Sequence, residues 1–549
     1  MTPSAHQDTF ARDHLPAASH WPLLLLDGPD TRYPDRLNAA VALLDAKVAE
    51  GLGESPALRS DDGVYSYREV LARVDHLAHI LTGPMGLVPG NRVLLRGANH
   101  PSLAICWLAV VKAGLIAVGT MPQLRAAELA PILEKAQVTA ALCDARLLDE
   151  LRSAQVRSPR LARVMVYNAP AGWTGPEPCL DPLAPTSGNR FQACETAADD
   201  VALIAFTSGT TGQPKGTMHF HRDVLAMCDL FPRHILRPAA HDIFCGTPPL
   251  AFTFGLGGLL CFPLRYGASV LLLERLTPDS LLAAIQTHKA SICFTAPTFF
   301  RQMAAVASRY DLSSLRKCVS AGEALPDATR QLWKSATGIE LIDGIGATEM
   351  IHIFISARED EVRRGSIGKV VPGYEARVID EQGQPVPAGT TGRLAVRGPT
   401  GCRYLDDARQ ADYVRDGWNL TGDTFTCDDE GYFFYQARSD DMIISAGYNI
   451  AGPEVEAALL SHDAVAECGV VGVPDETRGQ IVKAFVVPRA GEIDKAGGEA
   501  ALATALQDWV KSVLAPYKYP RAVEFRDSLP RTETGKLQRF RLRPGSPAP

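Results

Sequence analysis

Apolar residues fall at helical spacing directly after Ser66-Tyr67-Arg68-Glu69: Val70, Leu71, Val74, Leu77, Ala78 and Leu81 share one face. A serine with a glutamate three positions later forms a capping box, so a helix starts there. Short apolar runs follow at Val93-Leu94-Leu95, Ile116-Ala117-Val118, Val138 to Leu142 and Val164 to Val166, with helical segments between them, one ending near Gly114. Strands alternating with helices predict parallel sheets covered by helices on both faces. The stretch from Ala169 to Asn189 is rich in Pro, Gly and Thr and reads as a surface connection to the next strand, Val201 to Phe206. The alternation resumes as far as about Leu341. After Gly365 the texture changes to short strands separated by Gly, Pro and Asp-Gly turns, which predicts a mostly β subdomain ending at Gly431-Tyr432-Phe433-Phe434-Tyr435. A compact α+β unit then follows. Its helix opens at Gly452-Pro453, with strands at Val465 to Val473 and Ile481 to Val487, a helix near Ala501 to Leu514, and a strand at Ala522 to Phe525. The polar run Arg438-Ser439-Asp440-Asp441 marks the boundary, giving domains 1–438 and 439–549.

Size and charge agree with this division. A chain of 549 residues is too long for one hydrophobic core. The apolar share of 46% and charged share of 21% are those of a soluble globular protein. The formal charge of −7 argues against a chain-wide nucleic-acid surface. The 12 cysteines contain no C-x-x-C pair, so they read as buried free thiols of a reducing cytoplasm. MTPSAHQDTFARDHLP lacks the pattern of a signal peptide, and the apolar stretch from Leu103 to Val118 is interrupted by Lys112 and Gly114, so no membrane insertion is expected.

The strongest chemical signal is Thr207-Ser208-Gly209-Thr210-Thr211-Gly212-Gln213-Pro214-Lys215-Gly216, directly after an apolar strand. Its three glycines and four hydroxyl residues give a loop rich in donors, suited to wrapping a polyphosphate whose charge Lys215 can offset. It is not a Walker loop, because Pro214 precedes the lysine and Gly216 follows it. The string resembles the phosphate loop of the adenylate-forming acyl-CoA synthetases, non-ribosomal adenylation domains and luciferases, and further motifs of that family follow in the family's order.

The resemblance implies a large α/β domain of mostly parallel sheets with a β subdomain, a small mobile α+β C-terminal domain, and specific site residues. Ser320-Ala321-Gly322-Glu323-Ala324-Leu325-Pro326 resembles the adenine-side loop. Asp343-Gly344-Ile345-Gly346-Ala347-Thr348-Glu349 resembles Tyr-Gly-x-Thr-Glu, with Ile345 in place of the usual Tyr; Thr348 would contact the α-phosphate and Glu349 would help hold Mg²⁺. In Trp418-Asn419-Leu420-Thr421-Gly422-Asp423, Asp423 would bind the ribose hydroxyls, and Arg438 would add a ribose or phosphate contact. Asp440 falls at the hinge position, where a polar exposed pair can absorb a backbone change. Ser445-Ala446-Gly447-Tyr448-Asn449 resembles the coenzyme A side loop, with Gly447 and Tyr448 beside the pantetheine path. Pro530-Arg531-Thr532-Glu533-Thr534-Gly535-Lys536 matches the C-terminal lysine motif, so Lys536 would bridge substrate carboxylate and ATP.

Pro249-Leu250-Ala251-Phe252-Thr253-Phe254-Gly255 occupies a substrate-side segment whose aromatic lining suits a flat aryl acid. The runs DGIGATEMIHIF and ISAGYNIAGPEVE resemble the benzoate and 2-aminobenzoate CoA ligases, which makes His352, Ile353, Ala321 and Gly346 pocket candidates beside Ala251, Phe252, Phe254 and Gly255. For one of Phe252 and Phe254, plain core packing is the simpler reading. Ile444 stands where benzoate-type relatives often carry Lys, which favours 2-aminobenzoate. The expected co-substrates are ATP and coenzyme A, and a monomer and a homodimer both stay open. Two alternatives remain: an adenylation enzyme that loads a separate carrier protein, and a non-catalytic nucleotide-binding protein of the same fold. His219 and His221 lack partners for a zinc set and read as residues at the start of a helix. Asp279 reads as a helix N-cap rather than a phosphopantetheine site.

Overall fold

The computed structural model describes residues 2–184, 189–207, 214–438, 441–445, 448–475, 478–514, 516–531 and 537–543. Two sheets dominate the larger part. One has six strands in the spatial order Arg163–Tyr167, Ala140–Asp144, Arg92–Arg96, Ile116–Thr120, Val201–Thr207 and Lys215–Phe220, all parallel but the last. The other has nine strands. Its parallel centre runs Leu341–Gly346, Lys317–Ala321, Ile292–Thr295, Ile243–Gly246, Ser269–Leu271 and Pro56–Ser60, and its edges are antiparallel.

Period-two alternation sorts side chains into layers. Val93 and Leu95 face the central core together with Phe244, Val270, Ile292 and Phe294 of the second sheet, whereas Leu94 faces the outside of the first sheet. Helices Tyr67–Thr82 and Pro101–Lys112 lie in this central layer, and every residue of the second is buried. A helix covered on all sides has no solvent face, which fits a sequence apolar all round but for Ser102 and Lys112, whose ammonium is paired with Asp45 and Asp75. Helices Ala126–Lys135 and Leu148–Gln155 cover the outer face of the first sheet, and Pro278–His288, Pro297–Ala304 and Asp327–Thr337 that of the second. The molecule is thus layered helix, sheet, helix, sheet, helix.

The predicted capping box is present: Glu69 N–H donates to Ser66 Oγ at 3.2 Å, and Ser66 N–H donates to Glu69 Oε2 at 2.9 Å. The strand expected from Val138 begins at Ala140, because Val138 N–H still closes the preceding helix on Leu133 O. Asp279 is not an N-cap. Thr277 holds that place and accepts from Ser280 N–H, while Asp279 accepts from the Tyr310 hydroxyl. His219 lies inside the strand Lys215–Phe220 rather than at the start of a helix; His221 opens the helix His221–Asp229. The 169–189 connection is irregular and largely exposed where described, although Leu180 and Leu183 pack on the central core.

An antiparallel sheet follows in the order Glu375–Ile379, Gly392–Arg397, Trp418–Cys427 and Val414–Arg415, with Phe433–Arg438 pairing Trp418–Cys427. From Ile443 onward the chain builds its own sheet, in which Gly479–Pro488 pairs Val465–Asp475, Ile443–Ser445 and Ala522–Phe525. Its core, from Ile443 through Val455, Val470 and Ala484 to Leu506, draws on no residue before Ile443. All the cysteines are free thiols, most of them buried, with Cys179 exposed. Among the described residues no helix is long and apolar enough to cross a membrane.

His221 makes the fold sensitive to acid. Its Nδ1 accepts from Ala39 N–H at 3.1 Å, which fixes the neutral ring, and burial pushes its pKa down to about 3, helped by His6 and opposed by Asp200. The unfolded chain takes up a proton near pH 6.5 that the folded ring refuses, so stability is complete above that pH and is lost as pH falls towards 3. The slope from this one ring is about 1.4 kcal/mol per pH unit. Asn at this position keeps an acceptor for Ala39 and cannot titrate. His221→Asn should flatten the dependence of denaturant-unfolding free energy on pH between 6 and 4.5 by about that amount; an unchanged slope would contradict this origin.

Candidate active site

The site begins at the antiparallel hairpin of the six-stranded sheet. Thr207 and Lys215 face each other as the last register pair before the loop, and Ser208, Gly209, Thr210, Thr211 and Gly212 lie outside the described residues. Along Lys215–Phe220, Met218 and Phe220 point into the apolar core, so Lys215, Thr217 and His219 share the opposite face. The segment Arg403–Leu405 pairs onto this strand: Met218 N–H donates to Arg403 O and Leu405 N–H to Gly216 O, each at 2.8 Å. Thr217 and Tyr404 are register partners, so the Tyr404 side chain joins the face that carries Lys215. Lys215 Nζ donates to the Tyr404 hydroxyl at 3.2 Å, and that hydroxyl donates to Glu349 Oε1 at 2.5 Å.

Glu349 is 9% exposed, unlike a solvated surface acid, and its Oε2 has no hydrogen-bond partner among the described residues. It sits on the short turn Thr348–Met350 after the strand Leu341–Gly346. His219 Nε2–H donates to Thr348 O at 2.7 Å, which pins this turn to the hairpin strand. Ile351 ends the turn at φ +66°, ψ −37°, a conformation costing a β-branched residue about 1–3 kcal/mol. That reversal directs His352 back into the core. Among the described residues no group of three or more His, Cys, Asp and Glu could hold a metal alone. One buried carboxylate with a free oxygen does fit a hard cation that arrives on a polyphosphate.

His352 is enclosed by Phe231, Phe254 and Phe262, with ring centroids 5.7, 5.7 and 4.6 Å away. Burial pushes its pKa down to about 3, against a backbone contact with Phe254, so the ring is neutral, and among the described residues neither nitrogen has a well-aligned hydrogen-bond partner. A Cβ on Gly257 would stand 2.5 Å from the ring, and one on Gly346 2.7 Å from His352 O. Ile353 opens the next strand and packs over Gly344. Ala321 and Gly344 are register partners on neighbouring strands. Gly255 has its Cα against Pro249 O, where a Cβ would reach 2.1 Å. Ala251, Phe252 and Phe254 are all half-buried; Phe254 packs against the central core, its ring tilted 54° to that of Phe294 at 5.6 Å, so of the two phenylalanines it is the one in contact with the core.

Asp343 is buried and its carboxyl is pushed up to about 6 by burial, against the pull of Arg330. Gly322 has φ +90°, and Ala324 is exposed beside it. Glu323 accepts from the Thr298 hydroxyl at 2.7 Å and from Arg531 at 3.3 Å. Asp423 and Arg438 are cross-strand partners with Nη1 to Oδ1 at 3.4 Å. Arg531 also donates to Glu467 at 2.9 Å, and Arg301 donates to Leu460 O and Val465 O, so the last unit touches the larger part at this cleft. Lys536, Asp440 and Gly447 lie outside the described residues, as do the side chains of Tyr448 and Ile444.

The arrangement therefore gathers Lys215, Thr348 and Glu349 around one hairpin, and His352, Ile353, Ala321 and Gly346 at the ends of adjacent strands of the other sheet. The sequence reading missed Tyr404, which sits in a Gly-Pro-Thr-Gly-Cys-Arg-Tyr run with no chemical signature; its role depends on a register invisible in sequence. It read His219 as a residue at the start of a helix after rejecting a metal role, and assigned no role to Thr298.

Comparison with known proteins gives the family. The AMP-binding enzyme family matches residues 45–403, and the AMP-binding enzyme C-terminal domain matches residues 454–536. The chain is 37% identical to the benzoate–CoA ligase of Thauera aromatica over 521 residues, covering 94% of this chain and 97% of that protein. A crystal structure of an anthranilate CoA ligase in complex with anthranoyl-AMP superimposes with TM-score 0.86 at 33% identity, covering 94% of this chain and 98% of that one. A benzoate CoA ligase from Burkholderia xenovorans LB400 gives TM-score 0.80 at 31% identity, over 92% and 99% of the two chains. With both family matches in their order along the chain, this protein belongs to the AMP-binding enzymes and is a member of the adenylate-forming CoA ligase superfamily.

Proposed function

We propose that this chain is an aromatic acid–CoA ligase acting on a benzoate-type acid, with 2-aminobenzoate preferred to benzoate. The observation that carries the reading is the buried, neutral His352 amid Phe231, Phe254 and Phe262, three residues from Glu349. Aromatic walls suit a flat ring, and a neutral imidazole keeps one nitrogen lone pair that can accept a hydrogen bond from a ring amine. The likeness to the anthranilate and benzoate ligases supports the same class.

In the first half-reaction the carboxylate attacks the α-phosphorus of ATP. An O–P bond forms and pyrophosphate leaves. Both partners are anionic, so charge repulsion is the main obstacle. Lys215, Thr348 and Lys536 would orient them and offset that charge. Glu349 would hold Mg²⁺, which would neutralise part of the phosphate charge. Backbone and hydroxyl groups of residues 207–212, with Gly322, Glu323, Ala324, Asp343 and Gly344, would hold the nucleotide, and Asp423 and Arg438 its ribose. Arg531, five residues before Lys536, is paired with Glu323 on the adenine-side loop, which supports a reach of the Lys536 segment to this cleft.

In the second half-reaction the coenzyme A thiol, having lost its proton, attacks the acyl carbon. A C–S bond forms and AMP leaves. The C-terminal lobe, 439–549, would turn about Asp440 to withdraw Lys536 and bring the Gly447–Tyr448 loop in. No enzyme nucleophile is required.

The direct test is CoA-thioester formation with ATP, Mg²⁺ and a panel of 2-aminobenzoate, benzoate, hydroxybenzoates, cyclohexanecarboxylate and fatty acids. The highest kcat/KM is expected for 2-aminobenzoate. AMP and pyrophosphate without a thioester would instead favour loading of a carrier protein, and no acid-dependent pyrophosphate release would sink the reading. His352→Leu should reduce the preference for 2-aminobenzoate over benzoate by about 10-fold, the worth of one hydrogen bond to a substrate; an unchanged ratio would remove His352 from the amine contact. Lys536→Ala should lower acid-dependent ATP–pyrophosphate exchange by about 100-fold or more, with CoA transfer from a supplied acyl-adenylate nearly intact. Equal loss of both steps would refute that role.

A further inference from the structure

Lys215 and Glu349 are the two charges that the proposed reaction sets against ATP, and one phenol links them. The Tyr404 hydroxyl accepts from Lys215 Nζ at 3.2 Å and donates to Glu349 Oε1 at 2.5 Å. The phenol is 1% exposed and is held at several points. Tyr404 N–H donates to Gln410 Oε1 at 2.8 Å, Gln410 in turn donates to Cys402 O and His20 O, and the ring meets Tyr413 edge-on at 5.8 Å. The ring therefore has one place to stand and one proton to give, and that proton goes to Glu349.

We propose that Tyr404 is a positioning residue of the adenylation step. Its hydroxyl fixes Glu349 through Oε1, which leaves Oε2 for the cation that travels with ATP. The same oxygen holds Lys215 beside the phosphate loop until the nucleotide takes it. A carboxylate with two free oxygens would rotate, and a lysine without an acceptor would sweep the cleft; the phenol removes both freedoms before substrate arrives. This rests on the adenylate-forming reading above but concerns a residue that reading does not use.

The test uses the full-length wild type, Y404F, E349Q and the double variant, with Mn²⁺ and ATP as probes and no acid present. Free Mn²⁺ is counted by electron paramagnetic resonance. Y404F should weaken Mn²⁺ binding to the enzyme–ATP complex by about 10-fold, and adenylation measured by ATP–pyrophosphate exchange by about 10–100-fold, the range for partners that orient a metal ligand. CoA transfer from supplied acyl-adenylate and KM for the acid should stay within about 2-fold, because the aromatic pocket is untouched. In the E349Q background Y404F should add less than about 2-fold to the loss of Mn²⁺ affinity, as expected if one residue acts through the other. Wild-type Mn²⁺ affinity in Y404F, or losses that multiply in the double variant, would overturn the proposal. Should Y404F not fold, Tyr404→His, whose ring N–H can still donate, must retain more Mn²⁺ affinity than Tyr404→Leu, and equal losses would overturn it. A wild type that binds no Mn²⁺–ATP would overturn both this inference and the functional reading, whereas one that binds it and loses nothing on substitution would overturn this inference alone.

Discussion

The site depends on one buried ion pair. Arg403 and Asp223 are both fully buried and joined directly, Arg403 Nη2 to Asp223 Oδ2, with the guanidinium stacked 4.1 Å from the Phe220 ring. Asp223 also accepts from Phe220 N–H at 2.9 Å, so the same carboxylate closes the start of helix His221–Asp229. Removing one member of such a pair leaves an uncompensated charge in the core and costs about 3–5 kcal/mol. The pair holds the segment 403–405 on the strand Lys215–Phe220. Tyr404 is the next residue, and through it Lys215 and Glu349 are joined. The geometry around Lys215 and Glu349 is thus set by an ion pair buried in the core.

The two sheets divide the candidate site residues between them. The six-stranded sheet supplies the hairpin with Thr207 and Lys215. The nine-stranded sheet supplies Ala321, Asp343, Gly344 and Gly346 from adjacent parallel strands, and Ile353 from the antiparallel strand beside them. Strand ends of open α/β sheets are where backbone groups lack ladder partners, so ligand groups collect there. The strained Ile351 between Glu349 and His352 lets one short turn serve both sides, with the carboxylate towards the hairpin and the imidazole among the phenylalanines.

Contacts of the last unit fall on the same cleft. Arg531 is shared between Glu323 of the larger part and Glu467 of its own sheet, and Arg301 reaches two carbonyls at the end of helix Gly452–Leu460 and the strand after it. Both of these contacts are polar. Contacts of that kind can be exchanged at small cost, whereas an apolar interface would bind the two parts permanently.

Local sequence determined whatever depends on near neighbours. The capping box at Ser66, the apolar run of helix Pro101–Lys112 and the strand Ala522–Phe525 all follow from spacing and backbone preference within a few residues. The family was legible because its motifs are contiguous strings. Tertiary structure alone decided the rest, because it depends on register and on chain distant in sequence. Tyr404 becomes part of the site only through its pairing with Thr217, 187 positions away by the difference of their numbers. Glu349 looks like a surface acid until the fold buries it, and Asp279 looks like a cap until Thr277 takes the place. His352 is a polar letter in an apolar run, and only the closing of Phe231, Phe254 and Phe262 around it buries it and makes it neutral.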